Sequence, residues 1–165
     1  MTLPGSNSLK LIMRMFLLGL LAFNAYAAEP VLSKDAPPDK PVRATDDDAL
    51  RMHRAMEPYV QEAKKTYPAA KAKFLKGLPP GEHFFVTTRL RDRKGRIEQV
   101  FIGVTSIKKA SIEGIIFSEI HLVEGYAMRQ PYSFPETELV DWTITKPDGS
   151  EEGNVVGKFL DTYTP

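Results

Sequence analysis

Apolar residues recur every three or four positions from Ala49 to Tyr67, through Met52, Met56, Val60 and Ala63, while Arg51, Arg54, Glu57, Glu62 and Lys64 fall largely between them. This spacing lays one apolar stripe along a helix of about five turns. Thr45 followed by Asp46-Asp47-Asp48 reads as its start, a hydroxyl N-cap with carboxylates beside the positive end of the helix. A calcium loop would need alternating oxygen ligands and a turn glycine, which the stretch lacks. Pro58 carries no amide hydrogen and predicts a kink or break. Pro68 then opens a second short helix through Ala69, Ala70, Ala72, Phe74 and Leu75, which stops at Gly77 ahead of Pro79-Pro80-Gly81.

After Gly81 the period changes to two. Phe84, Val86, Thr88 and Leu90 share one strand face and His83, Phe85, Thr87 and Arg89 the other. Asp92-Arg93-Lys94-Gly95 is a turn. The return strand, Ile97 to Ile107, sets Val100, Ile102 and Val104 opposite Gln99, Phe101 and Thr105. Lys108-Lys109-Ala110 reverses the chain again into Ile112 to Phe117, where Gly114 marks a close approach or a bulge. Glu119 to Glu124 reads as a fourth strand, Tyr126 to Phe134 as a fifth and Leu139 to Thr145 as a sixth, ended by Pro147-Asp148-Gly149. Gly153 to Leu160 is a last strand or a short helix. The expectation is a single α+β domain: N-terminal helices packed on a strongly twisted antiparallel sheet, a meander that can curl into a partial barrel around Trp142.

The first 27 residues stand apart from this pattern. Lys10 and Arg14 precede the apolar run Met15 to Phe23, which is shorter than the roughly 20 residues of a membrane span. Ala25-Tyr26-Ala27 then offers a small-x-small site. The order is that of a secretory signal peptide cut after Ala27, with the next bond as second choice. Residues 28–44 hold "EPVLSKDAPPDKPVR", rich in proline and charge, and read as a flexible tether; residues 45–165 are the domain. Loss of Lys10 and Arg14 turns a net charge of +1 into −1, which argues against nucleic-acid binding through a basic surface. The chain has no cysteine, so it has neither a lipobox thiol nor a disulfide framework. An exported destination follows, periplasmic in a host with two membranes or secreted otherwise, with no transmembrane segment in the mature chain.

The motifs "FLKGLPPGEHFFVTTRL", "EQVFIGVTSI", "IEGII", "ELVDWTITKPDG" and "EGNVVGKFL", in that order, resemble the YegJ-like bacterial family known as domain of unknown function 2314. The resemblance runs from about Glu57 to Leu160, and Asp141-Trp142 followed by Gly149 is its most specific element. Where the family pattern has a compact Gly-Asp turn, this chain carries "VEGYAMRQPYSFPETE". The resemblance implies the fold and brings no established activity.

No constellation names a reaction. HExxH, Gly-x-Ser-x-Gly, P-loop and dinucleotide motifs are all missing from the sequence, and His53, His83 and His121 are each isolated. Glu119 and His121 share a strand spacing that suits a metal, yet a stable zinc site wants three or four ligands, so no metal and no cofactor are expected. Trp142, the only tryptophan, reads first as a core plug with its indole N–H directed to an acceptor, and Asp141 as an acceptor for turn amides. Their functional reading, together with Tyr132 and His83, is contact with a ligand or a partner. Arg91, Arg93, Lys94 and Arg96, with Arg89 beside them, crowd the first hairpin and are candidates for an anionic surface. Edge protection explains the same charges. The leading functional expectation is a non-catalytic binding or accessory module that meets a small ligand or an envelope protein. A hydrolase or transferase, in which Asp141 would meet His83 or His121 in the fold, is the rival from another class, and an inhibitor or immunity-type protein is a third.

Overall fold

The computed structural model describes residues 46–164. The expected signal peptide with its cleavage after Ala27, the expected tether and the expected Thr45 cap lie outside the described residues. Helix α1 spans Asp46–Lys76, strand β1 His83–Arg91, β2 Ile97–Lys108, β3 Ser111–Ile116, β4 Pro131–Pro135, β5 Asp141–Thr145 and β6 Glu151–Gly153, and helix α2 spans Val155–Thr162. A short 3-10 turn, Glu136–Glu138, links β4 to β5. The fold is α+β, with two helices and six antiparallel strands in the order β4-β3-β2-β1-β5-β6.

The helical part differs from expectation in two ways. One continuous helix of 31 residues replaces the expected pair, with Pro58 and Pro68 both inside it, and the second helix follows the sheet. Each proline deprives the carbonyl four residues earlier, at Arg54 and Lys64, of its amide partner. All four residues are exposed, so water can take the place of the missing donors. The opposite side of α1 packs along its length and keeps the helix in one piece.

The alternation in β1 and β2 forms the predicted hairpin, with Phe85 opposite Gly103 and Leu90 opposite Glu98. Gly114 is a close approach: a Cβ there would lie 2.3 Å from the Gly103 carbonyl oxygen, and the β2–β3 ladder slips between Val104 and Ser106. Glu119 to Glu124 is not a strand. Its amides at His121, Leu122 and Val123 go to the Glu98 carboxylate, at 2.8, 2.8 and 3.0 Å, and leave nothing for a ladder. The expected fifth strand shortens to Pro131–Pro135, because the chain first turns through Arg129 in the left-handed region.

From β4 at one edge, the chain crosses back through residues 136–140 to place β5 beside β1, where the Val140 amide donates to the Thr87 carbonyl at 2.8 Å. This crossing carries Leu139 into the main core with Phe84, Val86, Leu90, Ile102, Ile112, Ile116, Phe134 and Ile144, beneath Ala63, Tyr67 and Ala70 of α1. A second cluster of Met56, Val60, Val140 and Val156 joins the first half of α1 to α2. The sheet is open, so the partial barrel does not close. No helix among the described residues is long and apolar enough to cross a membrane.

Candidate functional site

Asp141 and Trp142 adjoin on β5, and both are buried, at 1% and 8% exposure. The Trp142 indole Nε1 donates to the Ala63 carbonyl at 3.1 Å and to the Thr66 hydroxyl at 3.0 Å, which ties the sheet to α1. Gly153 lies against it so closely that a Cβ would stand 2.8 Å from the indole Cε3. Asp141 Oδ1 accepts the Trp142 amide at 2.8 Å, and Oδ2 accepts the Val156 amide at 2.7 Å. The expected turn amides are therefore those of the first turn of α2. Burial pushes the Asp141 carboxyl above the usual carboxylate range, while the amides of Trp142, Val156, Gly157 and Val155 pull it down. Neither side chain opens to a cleft in this structure.

His83 stands opposite Thr145 and Asp141 opposite Thr87. Four residues along one ladder amount to about 13 Å at the usual rise, beyond hydrogen-bond reach. His121 sits in the loop that Glu98 holds, 3.8 Å from Glu119. No group of three or more possible metal ligands comes together among the described residues. The condition set by the hydrolase reading, a carboxylate and an imidazole in contact, is not met at Asp141.

Of the hairpin cations, Arg91, Arg93 and Lys94 are exposed and Arg96 is half-buried. Arg96 Nε donates to Asp92 at 2.7 Å, and both Arg96 and Lys94 pair with Glu124, at 2.8 and 2.7 Å. The Asp92 carboxylate also accepts the amides of Lys94, Arg96 and Glu124. Burial alone would raise its pKa, but these donors outweigh it and hold the group down to about 2. The hairpin tip is thus riveted to the 117–130 loop, with much of its positive charge matched internally. Arg93 remains exposed.

A groove of about 590 Å³ opens between the first half of α1, the hairpin ends of β1 and β2, and the crossing segment. His53, Glu57, Val60 and Lys64 line it from α1, Arg89 and Arg91 from β1, and Glu138, Leu139 and Val140 from the crossing. Tyr126 and Tyr132 close one end, edge to face with centroids 6.0 Å apart, and the Tyr126 hydroxyl donates to the Arg91 carbonyl at 3.0 Å. Of the candidates named from sequence, Tyr132 and Arg91 reach this groove; Asp141, Trp142 and His83 do not line it.

Arg89 is the one lining cation that is not exposed. Burial lowers its pKa and the nearby Glu57 charge raises it. Yet among the described residues its guanidinium takes no hydrogen bond or ion pair, and neither does Lys64. Cations at other junctions are engaged: Lys71 with Glu136 at 2.5 Å, and Lys73 and Lys146 with Glu152. Glu57, Arg89 and Glu138 are not legible as a set because they lie on three separate elements, α1, β1 and the 3-10 turn, although the run His53, Glu57, Val60 and Lys64 at helical spacing is a usable signal for one wall.

Comparisons with family models, with curated proteins and with solved structures gave no match.

Proposed function

We propose that this chain is a non-catalytic binding or accessory module of the bacterial envelope, with the groove between α1 and the end of β1 as its ligand site. The observation that carries the reading is Arg89, half-buried in the groove wall and taking no hydrogen bond or ion pair from the described residues. A guanidinium fixed on a strand and stripped of part of its water gains from a ligand that replaces those lost hydrogen bonds. The groove volume falls inside the range of about 300 to 1,000 Å³ common for small-molecule sites, and it mixes an apolar floor with a few polar groups. Export rests on the basic, apolar and small-residue order of residues 1–27, and relationship to the YegJ-like family rests on the Asp141-Trp142 motif.

Thermal-shift screening of the full chain against envelope fragments and metabolites tests the site. A ligand that raises the melting temperature of the wild type should lose its effect on Thr137→Trp, which fills the groove from an exposed position. Equal shifts in both proteins would place the site elsewhere. Silence across the library, with no partner in a periplasmic pull-down, would remove the binding reading itself.

A further inference from the structure

The groove walls differ in chemistry from one end to the other. At the α1 side, Lys64 and Arg89 take no hydrogen bond or ion pair among the described residues, with Glu57 close enough to influence the guanidinium. Glu57 is itself held by the side-chain amide of Gln61 at 2.6 Å, one turn along the helix. A planar guanidinium with free donors fits two oxygens of a carboxylate or phosphate better than one point charge. At the other end, Tyr126 and Tyr132 meet edge to face at an interplanar angle of 80° and form an aromatic corner, with Tyr132 backed by the stacked ring of Phe134, centroids 5.7 Å apart. Val60, Leu139 and Val140 supply a buried apolar floor between the ends.

From this arrangement we infer that the groove takes a small organic anion with an aromatic body, its oxyanion on Arg89 and its ring in the Tyr126–Tyr132 corner. The inference rests on the groove being the binding site. Glu57 has a defined part in it: in the free protein it balances Arg89, and toward an incoming anion it repels. Its removal therefore strengthens binding while the removal of the Arg89 fork weakens it, a pair of opposite effects that a general loss of stability would not give.

Amide and arginine Nε–H chemical shifts of the full chain, followed by NMR during titration with phenyl phosphate, benzoate, inorganic phosphate, benzylamine and benzyl alcohol, test the assignment. Phenyl phosphate and benzoate should shift Arg89, Val60 and Leu139 saturably, inorganic phosphate should bind more weakly, and benzylamine should not compete. Arg89→Lys should weaken the aryl anions about fivefold, as expected when a bidentate contact becomes a single one, and Glu57→Gln should tighten them. Thermal melts of both variants establish that the fold persists. Benzylamine binding as tightly as benzoate, or Arg89→Lys without effect in a folded variant, overturns the anion assignment. Inorganic phosphate binding as tightly as phenyl phosphate overturns the aromatic one. If benzyl alcohol and every other probe leave the groove residues unmoved, the groove itself fails as the site.

Discussion

Asp141 caps helix α2 from a different element: its Oδ2 accepts the Val156 amide at 2.7 Å and approaches the Gly157 amide at 3.4 Å. The helix's own cap residue, Asn154, is left-handed at φ 55° and makes no side-chain cap bond. Free helix amides need an acceptor, and the strand provides it. The same carboxylate returns through Oδ1 to the Trp142 amide, so one buried group joins β5 to the last helix.

Asp141→Ala should therefore destabilise the fold by about 2 to 3 kcal/mol, the sum of a lost cap and stranded buried amides. Urea unfolding measures it, and hydrogen exchange should show the loss first at Val156 and Gly157. A variant as stable as wild type would free Asp141 for another role.

Trp142, being the sole tryptophan, reports its own burial. Its fluorescence should be blue-shifted and shielded from acrylamide in the native state, and should move red on unfolding. Trp142→Phe loses the donor to Ala63 and Thr66 and leaves a small void, for a cost of about 2 kcal/mol. Red, freely quenched native emission would contradict the packing described.

The β2–β3 turn holds Lys109 at φ 50° and Ala110 at φ 61°, a left-handed pair that favours Asn and Gly. Lys109→Asn combined with Ala110→Gly should stabilise the protein by about 1 kcal/mol, since left-handed backbone is costly for residues with a Cβ. The gain should appear as a higher urea midpoint with an unchanged slope.

Asp92 gives the hairpin rivet a pH dependence. Its folded pKa, about 2, lies below its ordinary value of 3.8, so the stability it contributes is fully present above about pH 4 and is lost as pH falls toward 2. Asp92→Asn cannot titrate. It should be less stable than wild type at about pH 6 and should decline less steeply below about pH 4, read from urea midpoints across that range.

Elements whose evidence is local were legible in the chain. The period of two from His83 to Val104 sorted β1 and most of β2 into faces, because successive side chains of a strand point to opposite sides whatever the partner; past the slip between Val104 and Ser106, Ile107 joins the core of Val100 and Ile102 against that parity. Asp92 to Gly95 announced its turn for a similar reason, since Asp92 accepts the Lys94 and Arg96 amides within the turn itself. Gly114 could be read as a close approach because a residue without a side chain in an apolar strand needs a reason. The indole bond of Trp142 was expected, although its acceptors on α1 were not.

Only the tertiary structure decided the rest. Pro58 and Pro68 break a helix on local grounds, and α1 runs through both because its buried side is held by the sheet and α2 while its prolines face water. Glu119 to Glu124 has strand alternation, yet Glu98, more than twenty residues earlier, takes its amides. The groove joins Glu57, Arg89, Tyr132 and Glu138 from four separate elements. Periodicity records which side of an element is apolar. Which distant carboxylate meets which cation, and which cation is left without one, depends on how the chain crosses from β4 back to β5, and charges acting across space carry no trace of that route in the sequence.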